Sequence, residues 1–248
     1  MGNSVIKVYE NSDQLAAEIS NDLVNFIEKE MSTSENVTVA LSGGNTPKKI
    51  YKYLADNFAE LDIWKKVKFF WGDERCVQPD DPESNFGAAK ELFFDHLKIK
   101  ELQIFRIKGE DTPSVEAERY GKVISEEVEM KNGWPRFDLM ILGIGEDGHT
   151  ASIFPDQIGL YESDKICAEA RHPVTGQQRV TVTGKVINNS SNIIILASGK
   201  GKNRILKEIV TDKNPAYPAS KIQSEEGTVF WYCDENAAEI LLAEKRSK

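Results

Sequence analysis

A chain of 248 residues with 40% hydrophobic and 29% charged side chains carries enough apolar material for a sizeable core and suits one large α/β domain or two small ones. Its 31 basic and 40 acidic side chains leave a net charge of -9, which repels nucleic acid and anionic membrane surfaces over most of the molecule. An anionic ligand must therefore meet a local basic site.

At the start of the chain, Met1-Gly2 raises the question of N-myristoylation, but that pattern wants Ser or Thr at position 6 and Ile6 stands there. No apolar run follows a basic stretch, and nowhere do 18 apolar residues run together, so neither secretion nor membrane insertion is expected. The sheet is expected to begin by about Ile6. Leu15, Ile19, Leu23, Phe26 and Ile27 recur at helical spacing over residues 13–30, with Ser12 as the expected N-cap. Residues 36–41 read as a short β-branched strand, and Thr46-Pro47 as an N-cap followed by proline at the first helical position. The same grammar predicts strands over 67–71, 137–142, 179–183, 192–197 and 228–233, and helices over 86–97, 115–130, 202–210 and 236–245. Strands alternating with helices imply a mainly parallel sheet flanked by helices. The polar break at Asp111-Thr112-Pro113 is too short for a linker, so residues 1–248 are read as one domain. Cys76, Cys167 and Cys233 are odd in number and scattered, fitting neither a disulfide framework nor paired zinc ligands, and are expected as reduced thiols in a cytosol.

In open α/β sheets the ligand crevice lies beyond the carboxyl ends of the strands, which directs attention to three loops. Ser42, Gly43, Gly44, Asn45 and Thr46 join a strand to a helix N-terminus, where free N–H groups and the helix dipole favour an anion. The loop lacks the Gly-Lys-Ser/Thr of a Walker motif, and read alone it also fits a tight turn. Gly72-Asp73-Glu74-Arg75 sets two carboxylates and a guanidinium at the end of an aromatic strand. This cluster is able to orient a polar ligand or exchange protons with it, and equally fits a solvated turn with a surface ion pair. A polar loop over residues 80–85 is expected to cap the helix beginning near Phe86.

The third loop, residues 143–150, follows the most apolar strand. Gly143, Gly145 and Gly148 spell a GxGxxG, but it comes late in the chain and Pro155 interrupts the helix a dinucleotide fold expects, so nicotinamide binding is rejected. A free imidazole titrates near pH ~6.5, so His149 is able to take a proton from water and return it to a leaving alkoxide, with Asp147 holding its tautomer. His96, on a helical apolar repeat, reads as core or boundary, and His172, before Pro173, as loop. No His, Cys, Asp and Glu group shows metal-ligand spacing and no nucleophile elbow is present, which leaves water as the nucleophile. Arg179 and Lys202 are candidates to meet a phosphate from the opposite side.

Taken together, LSGGNTP, WGDERCV with SNFG, FDLMILGIGEDGHTASIFP and QQRVTVT, in this order and over most of the chain, resemble the 6-phosphogluconolactonase family. The resemblance implies a fold similar to the glucosamine-6-phosphate deaminases, a single domain, no cofactor, and hydrolysis of 6-phosphoglucono-δ-lactone to 6-phosphogluconate in the oxidative pentose phosphate pathway. Carried over, it puts the phosphate against Ser42 to Thr46, Arg179 and Lys202, and the lactone near Asp73, Arg75 and His149. A nearby cation or backbone N–H would then stabilise the tetrahedral oxyanion. The deaminases resemble this chain through the Asp-Gly-His loop but carry a glutamate where Phe154 precedes Pro155 here, and tyrosine after Asp-Glu where Arg75 stands. A sugar-phosphate sensor is the other alternative; related sensors carry a helix-turn-helix, and this acidic chain has no basic N-terminal extension.

Overall fold

The β-branched and aromatic runs form one six-stranded sheet in a computed structural model that describes residues 3–246; Met1 and Gly2, weighed above for acylation, lie outside the described residues. In chain order the elements are β1 (Asn3–Tyr9), α1 (Ser12–Glu30), β2 (Val37–Leu41), α2 (Asn45–Phe58), β3 (Val67–Trp71), β4 (Asp73–Arg75), α3 (Asn85–Leu92), α4 (Pro113–Glu127), β5 (Met130–Lys131), β6 (Trp134–Pro135), β7 (Leu139–Gly143), β8 (Cys167–Arg171), β9 (Gln178–Val182), α5 (Gly184–Asn189), β10 (Asn192–Ala197), α6 (Asn203–Val210), β11 (Thr228–Asp234) and α7 (Glu235–Arg246). The main sheet runs β1-β11-β10-β7-β2-β3 with every pairing parallel. Its central strands are continuous apolar runs, as burial on both faces requires: all five residues of β2 are buried.

From β2 the chain steps outward to β3, then returns to the other side of β2 to lay down β7, β10 and β11. The switch point therefore falls between β2 and β7, where ligands bind in folds of this kind. The β2–β3 ladder has five registered pairs, but β2 and β7 share only Val39–Leu139 and Ala40–Met140. Below those pairs the strands are clamped: Asp138 Oδ2 accepts from both the Thr38 N–H and the Thr38 hydroxyl at 2.7 Å. Above them the two strands go separate ways, and the crevice opens.

Several expectations are corrected. The cap of α1 is Asn11, whose Oδ1 accepts from the N–H groups of Asp13 and Gln14 at 3.0 Å; Ser12 lies inside the first turn. Helix α2 begins two residues earlier than Thr46-Pro47 suggests, with Gly44 at the cap in a conformation of φ +105° that glycine adopts without cost. The helix predicted over 86–97 ends at Leu92 and continues as a 3-10 turn over Phe94–His96, leaving His96 exposed instead of in the core. Strand β9 is not in the main sheet. It pairs antiparallel with β4 and β8 in a three-stranded sheet, and neither β4, read as loop, nor β8 was expected. Segment 73–75 is too short and too charged to show strand periodicity, so partnership with β9 decides its conformation.

The Thr38 clamp makes a test. Thr38→Val should lower unfolding free energy by about 1.5–3 kcal/mol, the worth of a hydrogen bond to a charged group, measured by urea denaturation; an unchanged midpoint would show that the clamp does not hold β2 to β7.

Candidate active site

The loops leaving β3, β2, β7 and β10 meet over the switch point. After β2, the backbone carbonyl of Ser42 is pinned by the buried Tyr51 hydroxyl at 2.6 Å. Gly43 passes so close to Asn85 that a Cβ there would lie 1.7 Å from its Oδ1. Helix α2 then starts with no side-chain cap, which leaves the N–H groups of its first turn without a side-chain acceptor.

After β3, Asp73 and Glu74 are both buried but do different work. Glu74 is consumed in anchoring α3: it accepts from the N–H groups of Asn85 and Phe86 at 2.8 Å, from that of Arg75 at 2.7 Å and from the Ser84 hydroxyl at 3.1 Å. Burial pushes its carboxyl above the ordinary value against the pull of those three N–H groups. Asp73 has one side-chain partner, the Ser152 hydroxyl, at 2.6 Å from Oδ2.

Arg75 stands directly across the β4–β9 ladder from Arg179. Arg75 donates to the Glu83 carbonyl at 2.6 Å, but the Nε atoms of both arginines are buried and have no partner among the described residues. Burial, and next the charge of Arg75, push the Arg179 guanidinium below its usual value, while Asp73, Glu83 and Glu74 oppose the fall. Two guanidiniums side by side with donors unspent form a site for an oxyanion.

After β7, residues 143–150 fold into a tight loop held by Gly145 N–H to the His149 carbonyl at 2.9 Å and by the Thr150 hydroxyl to the Gly143 carbonyl at 3.1 Å. His149 Nδ1 lies 2.6 Å from Asp147 Oδ1. Burial raises the Asp147 carboxyl, but the hydrogen bond and charge of His149 outweigh it and hold it at about 2. An ionised carboxylate only accepts, so Nδ1 is the donor of this contact, and in the neutral ring that leaves the lone pair on Nε2. The Phe154 ring covers the imidazole with centroids 4.7 Å apart. Gly148, at φ +82°, lies where a Cβ would strike the Tyr217 ring at 2.4 Å, which fixes the loop against the segment before β11.

After β10, Asp234 receives the Ser198 hydroxyl at 2.5 Å and the Gly199 N–H at 3.0 Å, shaping the turn that carries Lys202. Burial lowers the Lys202 ammonium, with Glu146 and Asp147 pulling the other way; its neighbour Gly201 packs against the His149 loop, where a Cβ would lie 2.3 Å from Glu146 Oε1.

Ser42, Gly43, Gly44, Asn45 and Thr46 follow β2, with Gly43 against Asn85, whose amide donates to the Asp73 carbonyl; Arg75 faces Arg179 across the β4–β9 ladder; Asp147 and His149 pair in the β7 loop, Lys202 follows β10, and the Ser152–Asp73 bond joins the β7 loop to β4. The pairing of Arg75 with Arg179 is invisible while 73–75 read as loop. Ser152, Thr181, Asn85 and Asp234 had not been singled out, since nothing local marks them; Ser152 and Asn85 act across 79 and 12 residues of chain.

A family model described as glucosamine-6-phosphate isomerases/6-phosphogluconolactonase matches residues 10–231. Over 208 residues the chain is 43% identical to a 6-phosphogluconolactonase of Haemophilus influenzae, covering 83% of this chain and 88% of that one. It superposes on a 6-phosphogluconolactonase from Trypanosoma brucei with a TM-score of 0.87 at 29% identity, covering 97% of this chain and 100% of that one. A monomeric glucosamine-6-phosphate deaminase gives a TM-score of 0.79 at 20% identity, covering 95% and 99%, a likeness of fold alone.

Gly145 supplies a test of the histidine pair. A Cβ there would lie 2.1 Å from His149 Nδ1 and 2.3 Å from Asp147 Oδ1, so Gly145→Ala should displace the pair and cut turnover about 10²-fold, the scale of a small misplacement, with the circular dichroism of the fold retained. Wild-type turnover in this variant would show that the pair's geometry is not needed.

Proposed function

The chain belongs to the family of glucosamine-6-phosphate isomerases and 6-phosphogluconolactonases, and from that premise we propose a lactone hydrolase in which His149 activates the attacking water. The reaction is hydrolysis of 6-phospho-D-glucono-1,5-lactone to 6-phosphogluconate, a step of carbohydrate metabolism. The observation that carries the proposed chemistry is the His149–Asp147 contact of 2.6 Å, which commits Nδ1 as a donor and leaves Nε2 as a base at the switch-point crevice.

In this reading the phosphate sits against the first turn of α2, with Arg75 and Arg179 on the β3 side and Lys202 beyond the β7 loop. Asp73 receives sugar hydroxyls through its uncommitted oxygen. Nε2 takes a proton from water as the water oxygen bonds to the lactone carbonyl carbon. The carbonyl oxygen becomes an oxyanion, stabilised by a cation or N–H group of the crevice. When it collapses, the bond from C1 to the ring oxygen breaks, and the imidazolium returns its proton to the departing alkoxide. Asp147 stabilises the imidazolium in between. Nothing in the sequence asks for a metal or cofactor in this scheme. A cytosolic location belongs to the same proposal and is supported by three cysteines that are all free thiols. Among the described residues no helix is long and apolar enough to cross a membrane. A nucleic-acid partner is not part of the scheme, given a net charge of -9.

Phe154 favours hydrolysis over deamination. It is 1% exposed and offers no proton at the position where the deaminases resemble this chain but carry glutamate. The decisive assay follows lactone opening above the spontaneous rate and, in parallel, ammonia release from glucosamine 6-phosphate; lactone opening without ammonia is expected, and ammonia release would overturn the reading. In the same assay His149→Ala should lose ~10²–10⁴ in turnover with KM little changed, the usual loss of a general base. Arg179→Ala should instead raise KM with kcat nearly intact, because a phosphate contact is made equally in ground and transition states; an unaltered KM would remove Arg179 from the phosphate site.

A further inference from the structure

We infer that Ser152 is a positioning residue that aims the Asp73 carboxylate into the lactone site; this inference rests on Asp73 lining that site as proposed above. Ser152 is 1% exposed and Asp73 6%, and the 2.6 Å bond from the Ser152 hydroxyl to Oδ2 is charge-assisted and sheltered from water, the strong kind. Asp73 Oδ1 accepts nothing within the protein among the described residues, so one oxygen is held and the other is left to the crevice.

The serine is itself fixed from both sides. Its N–H donates to the Thr181 hydroxyl at 3.2 Å, and that hydroxyl donates to the Val182 carbonyl at 3.0 Å. Thr181 stands across the ladder from Asp73. The preceding residue, Ala151, is held at φ +49°, a left-handed conformation that is costly for a non-glycine residue and persists only where surrounding contacts over-determine it. The bend turns the chain, two residues after His149, so that Ser152 reaches β4.

What the hydroxyl prevents is as important as what it holds. Asp73 feels the charge of Arg179. A carboxylate freed from Ser152 would be drawn toward the two arginines, spending on an internal ion pair the donors that the substrate's phosphate needs. One serine thus keeps the acid and the cations of the site apart and ties the β3 side of the crevice to the His149 loop.

The test compares Ser152→Ala, Ser152→Cys, Ser152→Thr and Asp73→Asn, singly and as the Ser152→Cys/Asp73→Asn double variant, in lactone hydrolysis and thermal unfolding. The alanine and cysteine variants should each lose about tenfold in kcat/KM, and threonine, which keeps the hydroxyl, should recover most of it. In the Asp73→Asn background the cysteine change should cost nothing further, which a merely structural serine would not show. Cysteine preserves the volume if alanine leaves the chain unfolded. Multiplying losses in the double variant, or full activity of Ser152→Cys beside an impaired Asp73→Asn, would overturn the positioning role alone. Full activity of Asp73→Asn would instead remove Asp73 from the site, and the inference with it.

Discussion

Strands β2 and β7 stay paired over Val39–Leu139 and Ala40–Met140 only, with Asp138 and Thr38 closing the ladder at its lower end. The crevice exists because that ladder stops. Had the pairing run on to Leu41 and Ile141, the two loops that follow would have been drawn together by backbone hydrogen bonds, with no room between α2's first turn and His149. Lateral support comes from elsewhere: Gly72 donates to the Leu41 carbonyl at 2.9 Å, and Val182 donates to the Gly72 carbonyl at 2.8 Å. These bonds hang the β4–β9 pair on the end of the main sheet. The antiparallel sheet is thereby a side wall, placing Arg75 and Arg179 beside the helix N-terminus.

Charge is distributed so that an acidic protein offers a cationic pocket. The carboxylates near the crevice are engaged inside the protein: Glu74 by three N–H groups and a hydroxyl, Asp73 by Ser152, Asp147 by His149, Asp234 by the β10 turn. The cations are less so: Arg75 donates to the Glu83 carbonyl, but among the described residues both arginine Nε atoms are left over. Burying like charges side by side is costly, and the depressed affinity of Arg179 for its proton, set by burial and by Arg75, registers that cost. In the proposed reading a dianionic phosphate would offset that cost.

Much of this was legible beforehand because it is local. The apolar runs marked five of the six parallel strands of the main sheet, β1 being foreseen only as a sheet start near Ile6, and the loops at Ser42, Gly72 and Gly143 announced themselves by glycine and charge at strand ends. What escaped was non-local. Strand β4 is three residues long and owes its conformation to β9, over a hundred residues away. The Asn11 cap lost to Ser12 because both residues suit the position and only the backbone geometry at Asn11 (φ -153°, ψ 174°) decides between them. His172 is in a loop, as its proline neighbour suggested, but its ring packs edge-on against Phe154 with centroids 5.2 Å apart, a contact that no spacing predicts.

That contact bears on how the base is held. His149 is fixed at Nδ1 by Asp147 and on its ring by Phe154, and Phe154 is backed by His172, whose Nδ1 accepts from the N–H groups of Val174 and Thr175 at 3.2 Å. Aromatic pairs of this kind contribute about 0.5–1.5 kcal/mol beyond their buried area, enough to select one imidazole orientation among the few that Asp147 permits. With one nitrogen spoken for and the ring packed on an apolar neighbour, Nε2 is the position left for water, and the same phenylalanine withholds the second proton carrier that ring opening by deamination would require. A single apolar residue at 154 therefore suits the proposed chemistry twice: it packs on the imidazole and offers no acid for the competing reaction.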